Sequence, residues 1–121
     1  MADVNMNSIL DTVKHKLNIE PDYTYFDPDI IDYINSQFLT LHQLGVGPDT
    51  DFEIEDNTSM WTDFLPNGNL LNAVKIYIKC KVQLQFDPPS NSFTLDAVKQ
   101  QIAEAEWRMN VEVDPGEEDK T

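Results

Sequence analysis

Positive charge is scarce in this chain. Eight of its 121 residues are Lys or Arg against 22 Asp or Glu, a net charge of −14. Phosphate contacts require Lys and Arg, so this composition excludes nucleic acid or an anionic membrane as the main source of affinity. It leaves a basic partner, a cation, or a surface that repels DNA. Cysteine is nearly absent too: Cys80 stands alone, which excludes an internal disulfide and fits a reducing compartment. There are four glycines and two histidines, His15 and His42. They provide neither a Gly-rich phosphate loop nor a paired Cys/His metal spacing. No run approaches the ~18 apolar residues of a membrane span. The opening "MADVNMNSILD" lacks a basic segment followed by an apolar one, so a secretion signal is not expected and the chain is expected to be made in the cytoplasm.

Apolar residues make up 40% of the chain and aromatics 10%, enough for one domain with a modest core. Ser8 opens a helix in "SILDTVKHKLNI", where Ile9, Leu10, Val13 and Leu17 share a face and Asp11 stands three residues after the capping serine. A second start signal is Asp27-Pro28-Asp29, with Asp27 as cap and Pro28 in the first turn. Ile30, Ile31, Ile34, Phe38, Leu41 and Leu44 keep helical spacing up to Gly45, a C-terminal stop. In "GVGPDTDFEIEDNTS" Phe52 and Ile54 alternate with acids as in a short strand or hairpin arm. Ser59 is placed to cap a one- or two-turn helix, "MWTDFL". The main helices are expected at 8–18, 28–44, 69–86 and 94–109.

The segment "NLLNAVKIYIKCKVQLQF" fits two templates. From Ile78 to Phe86 it alternates strictly, as a strand does. Read as a helix, it aligns Leu70, Ala73, Tyr77, Cys80 and Leu84 in one row, with Leu71, Val74, Ile78, Val82 and Phe86 beside it. Eighteen residues without a turn signal favour the helix. Periodicity alone leaves both open. At Asp87, Pro88 and Pro89 any helix must stop, because each proline disfavours helical geometry in the residue before it. Ser92 or Thr94 then caps a helix whose Leu95, Val98, Ile102, Ala105 and Met109 keep three-four spacing. Asp87-Pro88-Pro89 is thus a hinge-stop that sets the angle between two long helices.

Little in the chain suggests chemistry. His15 and His42 read as surface or helix-end side chains, and Cys80 as a core thiol with nothing nearby to lower its pKa. Asp49, Asp51 and Glu53 occupy the first, third and fifth places of a calcium loop. Its sixth place is Ile54 instead of Gly, and its twelfth is Met60 instead of Glu. A solvated acidic loop is the better account. No catalytic residue, metal site or cofactor is expected.

Taken in order, "LTLHQLGVGP", "FEIED", "MWTDFL", "VKIYIKCKVQLQFDPPSNSF" and "IAEAEWRMN" resemble the head–tail connector, or head-completion adaptor, proteins of long-tailed bacteriophages, from about Ser8 to Asn110. The resemblance implies an all-α fold: a small bundle of about four main helices, with a long loop or short β-hairpin between the second and third. It makes residues 69–86 a helix. It also implies a virion protein at the head–tail junction, made in the host bacterial cytoplasm, with no enzymatic activity. Such a subunit assembles as a homo-oligomeric ring of about twelve copies beneath the portal protein. The ring extends the channel through which genomic DNA passes without specific binding, and it docks the next head-completion, stopper or tail protein.

Charge is placed unevenly. Residues 69–86 hold Lys75, Lys79 and Lys81 and no acid, whereas residues 1–68 hold thirteen acids and two lysines. These three lysines form a candidate subunit interface, opposite an acidic edge on the neighbouring copy. A solvated face is the alternative. Residues 1–110 read as one helical domain and 111–121, "VEVDPGEEDKT", as an acidic flexible tail. Trp107, Arg108, Val111 and Val113 form a candidate portal-docking surface. Two further readings are an acidic inhibitor that mimics DNA and a generic protein-interaction module.

Overall fold

The computed structural model describes residues 4–113. Along the chain run α1 (Ile9–Lys16), α2 (Asp27–Gln43), α3 (Trp61–Phe64), α4 (Asn69–Phe86) and α5 (Ser92–Val113). Among the described residues there is no strand, only an isolated antiparallel bridge between Ser8 and Met60. The fold is an all-α bundle.

At its centre is α4, which packs against α5, α2 and α1. This resolves the double reading of residues 69–86. Alternate residues on a helix are about 200° apart, so strict alternation sends apolar side chains to nearly opposite sides. A helix covered on both sides has a use for that pattern. Leu71, Val74, Ile78 and Val82 are buried from one row and Ala73, Tyr77 and Cys80 from the other. Against α4, α5 presents Val98, Ile102, Ala105 and Met109, all buried. Leu95, at the start of the expected row, is only half-buried.

The helix ends show where local sequence decided the outcome and where tertiary contacts did. Ser8 caps α1 as expected: its Oγ accepts from the Asp11 N–H at 3.2 Å and donates to the Asn57 carbonyl at 2.8 Å. Helix α2 closes at Gly45 (φ +81°), where the Val46 N–H reaches the Leu41 carbonyl at 2.9 Å and Gly45 that of His42 at 3.1 Å. This pairing needs a left-handed residue just past the helix. Helix α1 ends in the same way on Asn18 (φ +62°).

Three caps differ from expectation. Asp27 is the first residue of α2, with Phe26 in the cap position, and its carboxylate is committed to Lys14 at 2.8 Å. Helix α3 is preceded by Met60 rather than capped by Ser59, and the Met60 N–H donates to Asp63 Oδ2 at 2.8 Å. Helix α5 begins two residues early because Asn91 Oδ1 accepts from the N–H groups of Phe93, at 2.7 Å, and Thr94, at 3.2 Å. It also continues through Val113, so Val111 and Val113, assigned to a tail by their alternation, lie on the helix. Residues 114–121, the rest of that segment, lie outside the described residues.

The alternation at Phe52 and Ile54 is genuine, but its partner is not a strand. The Asn35 side chain accepts from the Ile54 N–H at 2.8 Å and donates to its carbonyl at 3.0 Å, supplying both bonds of a neighbouring strand. Ile54 points inward, Phe52 meets Phe38 and Phe64 edge-on with ring centroids 4.9 and 5.1 Å away, and Glu53 and Glu55 face solvent.

Candidate functional site

Helix α4 ends at Phe86, and Asp87 leaves it with φ −149° and ψ 72°, outside the helical region that the following proline disfavours. Five residues, 87–91, then turn the chain into α5. Asp87 and Pro88 are exposed and Pro89 is half-buried.

The three α4 lysines do not share one face. Lys75 and Lys79 are one turn apart, whereas Lys81 lies 5.7 Å above the Tyr77 ring on another side of the helix. Lys79 lines a groove of about 370 Å³ between α4 and α5, together with Lys16 from the end of α1 and Arg108 from α5. Ile76, Cys80 and Ala105 also line it, and Glu104 is the one acid there. Burial lowers the pKa of the Lys79 ammonium, and Lys16 and Lys75 push it the same way. Among the described residues, the ion pair made by a lysine or arginine is Lys14–Asp27 at 2.8 Å, and His42 Nε2 lies 3.7 Å from Asp51 Oδ1. Lys16, Lys75, Lys79 and Arg108 therefore have no carboxylate of the described residues within pairing distance. Neither Lys16 nor Arg108 is near Lys79 in sequence, and no local pattern announces their convergence. Arg108, expected to dock beside Trp107, borders both this groove and a shallow hollow next to Trp107.

The candidate docking residues separate in the same way. Trp107 and Val111, one turn apart, share the outer face of α5 and are 67% and 39% exposed. Phe93, 74% exposed, lies fourteen residues before Trp107, close to a whole number of turns, and so continues that face. Val113 is on another side, where a Cβ on Gly45 would lie 3.8 Å from its Cγ1. A further shallow hollow beside Trp107 is lined by Gln100, Ala103, Glu104 and Arg108.

Cys80 is buried, and its thiol lies 3.3 Å from Gln101 Oε1, positioned to donate to it. Burial raises its pKa, outweighing the opposite pull of Lys16 and Lys79, so the thiolate a nucleophile needs is disfavoured. Among the described residues no three His, Cys, Asp or Glu side chains gather as a metal site, and Asp49, Asp51 and Glu53 remain a solvated acidic segment. No described helix is long and apolar enough to cross a membrane.

The molecule thus offers partner surfaces: a basic groove, an acidic segment and an apolar outer face on its longest helix. No curated protein and no solved structure matches the chain. The sequence pattern of the family described as "Phage connector protein" matches residues 9–116 and includes all five helices. The chain belongs to the phage connector protein family, whose members are structural virion components linking head and tail rather than enzymes.

Proposed function

We propose that this protein assembles as a ring beneath the portal, extends the DNA channel, and offers its far side to the next head-completion or tail protein. The observation that carries this reading is the outer face of α5. Phe93, Trp107 and Val111 stay exposed there although the subunit already has a full core of its own. Large aromatics left in water on a rigid helix are the usual anchors of a protein interface. Trp107 and Val111 are assigned to portal docking, with Phe93 extending the contact. A net charge of −14 suits a channel component, because carboxylates repel the phosphates that must slide past.

The test is reconstitution with the portal protein of the same phage, followed by electron microscopy of the mixture. An annulus of this chain seated on the portal is expected. Trp107→Ala together with Val111→Ala should weaken capture by at least tenfold while the melting temperature holds. A chain that stays monomeric and unbound beside an intact portal would overturn the reading.

A further inference from the structure

The basic groove and the acidic segment raise one question together. Among the described residues, why do Lys16, Lys79 and Arg108 converge and pair with no carboxylate? Here Lys79 is half-buried against Lys16 and Lys75, and both neighbours disfavour its charge. Left unpaired, this arrangement is unfavourable, and an incoming carboxylate would relieve it.

The complementary feature is residues 49–56. Asp49, Asp51, Glu53, Glu55 and Asp56 are all exposed, and none of them lies within 4 Å of a described lysine or arginine, Asp51 instead being 3.7 Å from His42 Nε2. The segment is held in shape: Ile54 is buried and clamped at both its N–H and carbonyl by Asn35. Asp51, Glu53 and Glu55 therefore take alternate, exposed positions around that clamp, while Asp56 accepts from the Thr58 N–H and hydroxyl. A pre-shaped row of charges binds without a large ordering cost. The two patches do not overlap. Helix α5 packs on α4 to form the groove, whereas the acidic segment is anchored on α2, which packs on α4 separately. Distinct complementary patches on one subunit define a head-to-tail contact, the type that closes into rings.

We infer that the groove of Lys16, Lys79 and Arg108 receives residues 49–56 of the next copy of this chain. This rests on the ring reading and specifies its joint. It also revises the sequence expectation, since Lys81 is not part of the contact and two cations from other helices are.

Isotope-labelled and unlabelled full-length chain, mixed in equal amounts at high concentration and treated with a zero-length carbodiimide, tests it directly. Links between copies from Lys16 or Lys79 to carboxylates of residues 49–56 are expected. Links between copies only at other positions, or none, would overturn the proposal. A second arm uses Lys16→Glu/Lys79→Glu in one preparation and Glu53→Lys/Glu55→Lys in another, both checked for an unchanged melting profile. Each alone should lose linkage between copies by at least tenfold. Their equal mixture should regain it, because every joint in an alternating ring is again a cation facing an acid. If portal-bound rings form equally well with either variant alone, the ring stands and this joint falls. The expected links in a chain that forms only open oligomers would keep the joint and remove the ring.

Discussion

The two halves of the subunit are held together by different means. From Ser8 to Phe64 the structure is fastened by buried and half-buried polar groups: Lys14 to Asp27 and to the Pro21 carbonyl, Trp61 to Thr12, and Asn35 to Ile54. From Asn69 onward, α4 and α5 meet over apolar side chains, and the one side-chain hydrogen bond between them runs from Cys80 to Gln101. Polar fasteners have strict geometry and specify one arrangement of short helices and loops. An apolar seam is strong but tolerates adjustment. The first half has few long helices and needs definition from such bonds. The second is a hairpin whose shape follows from helix packing, and it carries the surface left for partners.

The largest break in this contrast comes from Asp27→Ala. Lys14 is only 1% exposed, and removing its carboxylate strands a buried ammonium. Such losses run about 3–5 kcal/mol. The low end is expected here, because Asp27 keeps 21% of its side chain in water and the Pro21 carbonyl remains at 3.0 Å. Urea denaturation should show it, and Lys14→Met combined with Asp27→Leu should recover most of the loss. If Asp27→Ala alone were neutral, the first half would not depend on its polar fasteners.

Next in size is Thr12→Val, which keeps the shape and removes the hydroxyl. Trp61 Nε1–H donates to Thr12 Oγ1 at 2.8 Å, and that hydroxyl lies 2.8 Å from the Ser8 carbonyl, to which it donates. The substitution leaves a buried indole N–H unpaired, at about 1–3 kcal/mol. Ile102→Leu in the hairpin is the matched control, and an apolar exchange there should cost less than about 1.5 kcal/mol. A reversed order would erase the distinction between the halves.

The corner at Asp87-Pro88-Pro89 is expected to matter less. Replacing both prolines with Ala frees the unfolded chain, at about 0.4–1 kcal/mol for each position, and lets α4 fray or extend beyond Phe86. Hydrogen exchange should then speed up at Asn91–Leu95, since the α5 cap depends on where the turn delivers Asn91. Unchanged exchange and an unchanged melting temperature would mean that the α4–α5 seam alone sets the corner.

How much of this was legible in the sequence follows the same division. The long helices, their stops at Gly45 and Phe86, and the α5 row from Val98 to Met109 depend on periodicity and on residues with fixed backbone preferences. These are local signals, and the structure agrees with them. Segment 69–86 was undecidable alone because a helix covered on two sides produces the alternation of a strand. The commitments of Asp27 and Asn35 were invisible. Each is bonded to a residue 13 or 19 positions away, and neither leaves a mark on its own neighbourhood. The basic groove was half visible. Lys79 stood out against an acid-poor stretch, but Lys16 and Arg108 reach it only through the packing of three helices.

The smallest expected effect on stability belongs to Phe93→Ala with Trp107→Ala. These are among the largest side chains in the hairpin half, and sequence reasoning that ranks residues by hydrophobicity would place them in its core. The structure leaves them 74% and 67% exposed, on the side of α5 turned away from α4. Little apolar area is taken out of water there on folding, so its loss removes little. Alanine also favours the helix over either aromatic by a few tenths of a kcal/mol. The two terms nearly cancel, and the double variant should melt within about 0.5 kcal/mol of the parent, as ordinary surface positions do. A loss of more than about 2 kcal/mol would show that the outer face of α5 is covered within the free subunit. That would remove the apolar surface from those available to partners, leaving the charged patches to account for assembly.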